Sequence, residues 1–484
     1  MAEEDDDIYS KTIQSGIHFS QYDEIEAQVT AAVSDETIEL YNFKRWSDLK
    51  RLHDQLRQNI TSSKRLNWKV PTPIQKTGTI KLMLEKKDVM GCAQTGSGKT
   101  GAFGIPIIQN LSLKKEKEEE DGVNSDADSV NSDDSEASNK RRRRDRACCK
   151  PYALIVAPTR ELVQQIKKSF VQLSKNMDNI NTQYICGGHA VRSQLEQIEG
   201  CDILVATPGR LNDFLGKQKI SLDNLEYLVI DEADRMMEMG FSEVLSDLAE
   251  KMPDKSKRQT SMFSATFPDE VQVKIREFLN DNYFYVVIGT VGGAAQTVTQ
   301  TFIELQEGDN KQSKLFDILE EAKEKNERTL VFVDTRRMTD FLATKLSESD
   351  FPATSIHGDR AQSEREEALR TFETSEYPIL VATNVAARGL DIKGVDHVIN
   401  FDMPKDIDEY VHRIGRSGRC GNKGRSTSFY NSTKNKMIAT KLRLTLENAQ
   451  QEVPSFLIRD AGGDSGMAPS MMAGADGGDD DSDW

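Results

Sequence analysis

The chain has 484 residues, enough for two to three domains, each with its own core. Its apolar fraction of 37% and charged fraction of 29% predict disordered stretches beside globular ones, and no apolar run reaches the roughly 18 residues that a membrane span needs. The net charge of −16 is unevenly spread: residues 3–7, 116–136 and 464–484 carry −5, −9 and −6 and leave the rest at +4, so nucleic acid stays open as a partner. The six cysteines (92, 148, 149, 186, 201 and 420) form no CxxC pair and have no histidine at zinc spacing, which predicts reduced thiols in a cytosolic or nuclear protein. The opening MAEEDDD is the opposite of a basic leader, and no secretion signal is expected.

Residues 1–42 read as an acidic extension. Leu49, Leu52, Leu56 and Ile60 then recur at helical spacing and predict an amphipathic helix. A first strand–helix series over 43–290 has strands expected at 152–157, 202–206, 225–230 and 260–263. Within it, Leu162, Val163, Ile166, Phe170 and Leu173 mark the buried stripe of one helix. Residues 112–150 interrupt this series with an acidic, Ser-rich stretch, expected to be disordered. It ends in KRRRRDR (140–146), a nuclear-localisation patch, an RNA-gripping patch or a counter-charge to the acidic half. Ser125, Ser129, Ser132 and Ser135 sit among its acids as candidate phosphorylation sites. Residues 291–300, small and polar, read as a linker. A second series over 301–458 has strands at 329–333, 378–382 and 396–401, and 459–484 reads as an acidic disordered tail. Strand–helix alternation implies two tandem α/β domains with parallel sheets covered by helices, facing each other across a cleft.

Two strings carry chemistry. In AQTGSGKT (93–100), Gly96 and Gly98 let backbone N–H groups close around phosphates, Lys99 reaches the terminal phosphates and Thr100 ligates Mg2+, with Ala93, Gln94, Thr95 and Ser97 completing the loop. DEAD (231–234) follows the apolar run 225–230, so its acids fall at a strand's carboxyl end, where α/β sheets bind ligands. Asp231 is the second Mg2+ residue, and Glu232 the group that orients and deprotonates an attacking water. Together they imply nucleotide hydrolysis.

Beyond these, PTPIQ (71–75), PTREL (158–162), GG (187–188), TPGR (207–210), SAT (264–266), VFVDT (331–335), RGLD (388–391) and HRIGRSGR (412–419) follow in order. The set resembles the DEAD-box RNA helicases, and the stretches near 16–30, 289–302 and 451–457 look most like the Vasa branch and its close general-translation relatives, although the long glycine-arginine-rich N-terminus common there is absent. The resemblance implies two RecA-like domains, ATP and Mg2+ as cofactors, and RNA as partner. It makes Arg416 and Arg419, three apart on one face, arginine fingers to the γ-phosphate. It places His412 and Arg413 against the other domain's site and has Gly389 and Asp391 meet the ribose. Thr72 and Gln75 belong to the adenine motif, in which Gln75 can bond the Hoogsteen edge. Phe43, Trp46 and Trp68 are the candidates for stacking. Pro158, Thr159, Arg160, Gly187, Gly188, Thr207, Pro208, Gly209 and Arg210 in the first domain are expected on RNA, with Thr335, Arg336, Gly358, Arg365 and Thr383 in the second. Hydroxyls, glycine N–H groups and isolated arginines suit the phosphate backbone rather than base edges. TPGR also suits a helix start. Asp234, Ser264, Ala265 and Thr266 are expected to link the ATP and RNA sites. The expected activity is ATP-driven local unwinding of short RNA duplexes or RNP remodelling, with an ATP-locked RNA clamp as the alternative and a nucleotide switch without RNA disfavoured by the basic core. A monomer, RNP proteins on the acidic tail, and a cytoplasmic location in RNP granules with nuclear entry through 140–146 complete the expectations.

Overall fold

The computed structural model describes residues 27–31, 34–37, 42–93, 96–125, 148–177, 179–266, 269–288, 298–387, 392, 394–417 and 424–462. Two sheets organise them. The first contains β1 (Ala27–Ala31), β2 (Ser34–Thr37), β3 (Val89–Cys92), β4 (Ala153–Val156), β5 (Thr182–Ile185), β6 (Ile203–Ala206), β7 (Tyr227–Asp231), β8 (Gln259–Ser264) and β9 (Phe284–Ile288) in the order 2-1-9-3-8-7-4-6-5. The second contains β10 (Val298–Glu304), β11 (Thr329–Val333), β12 (Ala353–Ile356), β13 (Ile379–Thr383), β14 (His397–Asn400) and β15 (Gly424–Tyr430) in the order 10-15-14-11-13-12. The pairs from β3 to β9 and throughout the second sheet are parallel. The paired α/β domains expected from strand–helix alternation are present.

The inner strands β4, β6 and β11 read as near-continuous apolar runs because both faces of the sheet are covered there. In β4, Ala153 and Ile155 enter the core on one face, and Leu154 and Val156 the core on the other. β11 divides likewise, Val331 and Val333 against Leu330 and Phe332. The catalytic strings follow from this topology. The phosphate loop leaves the end of β3, DEAD ends β7, SAT ends β8, and all three strands are adjacent and parallel.

Five boundaries move. The expected extension 1–42 contains β1, which pairs antiparallel with β9 from Ala27↔Ile288 to Ala31↔Phe284. The predicted helix from Leu49 starts only at Asp54, with the His53 ring nitrogen capping Gln55 N–H; Leu49 and Leu52 are buried in the turns before it. The helix after the phosphate loop runs from Lys99 to Ser125, so the first part of the segment 112–150 is helical. Lys, Glu and Leu are good helix formers, and the extension is tied down by Lys114–Glu226 at 2.6 Å and Lys115–Asp202 at 2.8 Å. KRRRRDR lies outside the described residues. β10 begins at Val298, inside the expected linker, and the helix Ser455–Asp460 runs past the expected end of the second domain at 458. Among the described residues no helix is long and apolar enough to cross a membrane, and Cys92, Cys148, Cys149, Cys186 and Cys201 are free thiols.

Candidate functional site

Gly96 and Gly98 adopt φ of +82° and +93°, a region that costs other residues but not glycine. The Gly98 carbonyl thereby meets Gln75, whose Nε2 donates to it at 3.0 Å while its Oε1 accepts the Thr72 N–H at 2.9 Å. A side chain at Gly98 would run into Thr72 and Gln75, and one at Gly101 into Gln75 and Trp68. Gln75 therefore braces the phosphate loop, a role its place in PTPIQ does not reveal. Lys99 is 6% exposed and donates to the Ala93 carbonyl at 3.0 Å, folded over the loop it serves. Among the described residues the Ser97 hydroxyl is buried without a partner, Thr100 is the second residue of the helix that starts at Lys99, and Gln94 and Thr95 lie outside the described residues. Phe43 and Trp46 are both buried. Phe43, Trp46 and Trp68 form one aromatic cluster, with ring centroids 6.0 Å apart for the first pair and 6.3 Å for the second.

Asp231 is 2% exposed. Burial pushes its carboxyl up to about 6, with Lys99 opposing and Glu232 adding to the rise. Glu232 sits in the left-handed region (φ 54°) as the N-cap of the next helix, with an Arg235 guanidinium 3.8 Å from its carboxylate. Asp234 is a junction. Its N–H donates to Ser264 Oγ at 3.2 Å, and its carboxylate accepts from the Thr266 N–H at 3.1 Å and hydroxyl at 2.9 Å. His412 of the second domain lies 3.9 Å from the same carboxylate. Burial alone would raise this carboxyl, yet His412 and Lys99 hold it below the usual range. Ala265 accepts from the Cys92 thiol at 3.7 Å, which closes SAT onto the strand feeding the phosphate loop.

The expected partner of His412 does not behave alike. Arg413 is 2% exposed and points into its own domain, donating to the Asp402 carbonyl at 2.7 Å, pairing with Glu409 and lying over the Phe332 ring. One residue further along a helix turns by about 100°, so neighbours on the Ile407–Ile414 helix cannot both face the first domain. Arg416 is buried beside the His412 carbonyl at 3.2 Å; Arg419, Gly389 and Asp391 lie outside the described residues.

The expected RNA residues gather in two groups. In the first domain, Thr159 N-caps the helix Arg160–Leu173 after Pro158. The Arg160 guanidinium lies over Gly187 and Gly188, the latter at φ +87°. Arg210 reaches the next carbonyl, that of His189, at 3.5 Å. Thr207 N-caps the helix Pro208–Gly216 without spending its hydroxyl on the cap, and Gly209 faces open space. TPGR is thus a helix start in which Thr207 and Pro208 are buried and Gly209 is exposed. In the second domain, Thr335 N-caps the helix Arg336–Glu348, Arg336 pairs with Asp359 beside Gly358, and Thr383 ends β13. Arg365 crosses to the first domain and pairs with Glu161 at 2.7 Å, both largely buried, and Gln164 bonds Glu366 at 3.0 Å. Glu161 was not singled out from sequence. An acid in a helix's first turn is ordinary there, and nothing local marks its partner about 200 residues away.

The site therefore holds a phosphate loop, strand-end acids and a junction carboxylate reached from a second domain. The DEAD/DEAH box helicase family matches residues 72–273, and the helicase conserved C-terminal domain matches residues 310–421. The chain belongs to the DEAD-box helicases. It is 43% identical over 472 residues to the ATP-dependent RNA helicase vasa of Drosophila melanogaster, across 97% of this chain and 65% of that protein. It is 46% identical to a probable ATP-dependent RNA helicase DDX4 of Pelophylax lessonae, across 94% of this chain and 58% of that one. These likenesses side with the Vasa branch, and the chain spans about three-fifths of these relatives' length. Among solved structures, Mss116p bound to ssRNA and AMP-PNP matches with a TM-score of 0.67 at 28% identity over 86% of this chain and 81% of that one. Dbp5 of S. cerevisiae bound to RNA and ADP BeF3 matches with 0.66 at 25% identity, over 85% and 95%.

Proposed function

We propose that this DEAD-box protein is an RNA-dependent ATPase that locally unwinds short RNA duplexes or remodels RNP. The observation carrying this reading is the Asp234 carboxylate, which receives Thr266 from the end of β8 and His412 from the second domain. An element of the ATP site therefore registers whether the domains are together.

In this reading Lys99 leaves the Ala93 carbonyl for the β- and γ-phosphates. Gln75 keeps its brace, since its amide has one further N–H and one further lone pair for the adenine edge, and one ring of the Phe43–Trp46–Trp68 cluster stacks on the base. Glu232 orients the attacking water, and Arg416 and Arg419 complete the γ-phosphate site from the second domain, with Gly389 and Asp391 at the ribose. The residues present fit Mg2+: Thr100 and Asp231 would hold it, and the buried Asp231, raised to about 6, lacks a full counter-charge without one. Bound there, the ion supplies charge neutralisation at the phosphates. The two RNA groups take one strand's backbone, with 2′-hydroxyls separating RNA from DNA.

The test is ATP hydrolysis with and without single-stranded RNA, beside DNA and a Glu232→Gln control. Stimulation by RNA but not DNA, lost in the control, supports the reading; hydrolysis indifferent to RNA sinks it. Slow phosphate release with intact catalytic residues would instead mark an RNA clamp. We further propose a monomer that acts in cytoplasmic RNP granules, recruits basic RNP proteins through the acidic tail and enters the nucleus through 140–146.

A further inference from the structure

The helix Arg336–Glu348 carries Asp340 one turn beyond Arg336, on the same side. Its carboxylate collects three donors: Ser355 Oγ, from β12, at 2.8 Å, and His357 Nε2 at 2.9 Å and Arg360 at 3.1 Å from the segment that follows it. None of these residues was singled out from sequence. His357 is 5% exposed, and its other ring nitrogen, Nδ1, accepts the Asp359 backbone N–H at 3.3 Å. With an acceptor at Nε2 the imidazole proton sits there, which leaves the Nδ1 lone pair free for that N–H. Asp359 pairs with Arg336, and a Cβ placed on Gly358 would lie 3.9 Å from the Arg336 guanidinium. The connections close a ring: helix to Asp340, Asp340 to His357, His357 to Asp359, Asp359 to Arg336 and back to the same helix.

We propose that Asp340 is a positioning residue for the second domain's RNA-phosphate site, setting the Gly358–Asp359 turn against the Arg336 guanidinium through His357. This rests on the reading of Arg336 and Gly358 as RNA contacts. Asp340 touches no RNA itself. Two features separate this role from plain stabilisation. Its side chain is 49% exposed, so removing it opens no core cavity. Two of its three donors, His357 and Arg360, come from the turn that carries Gly358 and Asp359, and only Ser355 comes from β12. RNA phosphate and Asp359 both suit the Arg336 guanidinium, and a turn held in place keeps the arginine aimed where the phosphate arrives.

The experiment uses the full chain with the variants Asp340→Asn, Arg336→Ala and their combination. ATPase is titrated with single-stranded homopolymer RNA, RNA affinity is read by fluorescence anisotropy, and melting temperatures are recorded. For Asp340→Asn we expect half-maximal stimulation to need about tenfold more RNA, with kcat at saturating RNA, KM for ATP and melting temperature unchanged. In the Arg336→Ala background, Asp340→Asn should add nothing, because both act on one contact. If Arg336→Ala leaves RNA affinity intact, the RNA reading of this surface fails. If Arg336→Ala weakens binding and Asp340→Asn does not, or if their effects multiply, the positioning role is overturned while the RNA reading stands. A fall in melting temperature with parallel loss of kcat also overturns it, in favour of a structural role.

Discussion

Glu232 and Asp231 are adjacent acids with different surroundings, and the difference sets what each variant should do. Glu232 is held in a left-handed backbone conformation with Arg235 beside its carboxylate, so Glu232→Gln keeps shape and packing while removing the base. We expect hydrolysis to fall by about 10²–10⁴-fold with ATP binding retained, read by single-turnover kinetics beside nucleotide affinity. Asp231 is buried with its carboxyl pushed up to about 6 from 3.8. A carboxyl whose folded value is raised favours folding in its protonated form, below about 3.8. That contribution is lost as pH rises through about 6, where the charge must be carried in the interior. Asp231→Asn should therefore leave the nucleotide-free protein unchanged at pH 4 and stabilise it at pH 7, by on the order of 2–3 kcal/mol. Melting curves across pH 4–8 check this, and a constant difference between the two proteins would refute it. Mg2+-dependent nucleotide binding runs the other way, weakening as pH falls through about 6.

At the scale of elements, the loops ending β7 and β8 are coupled through few atoms. Ser264→Ala with Thr266→Ala removes both hydroxyl bonds to the Asp234 segment but leaves Lys99, Glu232 and the Thr266 backbone N–H in place. RNA-stimulated ATPase should stay within a few-fold while duplex unwinding falls about tenfold or more; equal loss of both would count against a linking role. The glycine pair offers a sharper case. Gly188 has φ +87° and lies under the Arg160 guanidinium. Gly188→Ala combines backbone strain of about 1–2 kcal/mol with displacement of a proposed RNA contact. RNA affinity should drop further than the change in melting temperature accounts for. Elements such as β4 and β11 were legible in the sequence because a strand buried on both faces must be apolar at every position. The strand β1, which lies between the edge strand β2 and β9, was not, since only Val29 of its five residues is fully buried. Nor was the helix through Ser125, because an acidic–lysine run has the composition of disorder and the pairing of an exposed helix at once. Lys99 and Asp231 could be grouped from the sequence because chemistry fixes both type and spacing there, and Lys99 does bear on the buried Asp231 carboxyl. Arg413 was misplaced because a motif string cannot say which way each side chain of a helix turns. Glu161 was missed because its partner is set by tertiary approach.

The whole molecule works, in the proposed reading, only if ATP and RNA favour the same joined arrangement of domains. Three contacts hold that arrangement among the described residues: Asp234 with His412, Gln164 with Glu366, and Glu161 with Arg365. The last is the one with direct leverage. Glu161 neighbours Arg160 in the first RNA group and Arg365 is itself a proposed RNA contact, so their ion pair draws the two RNA surfaces into one. Both side chains are largely buried, at 4% and 13% exposure, and an unpaired charge there is costly, about 3–5 kcal/mol when one partner of a buried pair is removed. That cost falls on the joined state alone, since opening the domains lets either group reach water. Glu161→Gln should therefore leave ATP and RNA affinities nearly unchanged when each is measured singly, and reduce the factor by which each tightens the other. Coupling of 1–3 kcal/mol is typical, and we expect the factor to shrink by about tenfold or to vanish. Linkage requires the same reduction whichever ligand is varied, so RNA affinity with and without a non-hydrolysable ATP analogue must agree with analogue affinity with and without RNA. Arg365→Ala should lower both the coupling and the RNA affinity itself, because it removes a contact as well as a latch. If Glu161→Gln weakens RNA binding as much without nucleotide as with it, the ion pair shapes the RNA surface and does not govern closure.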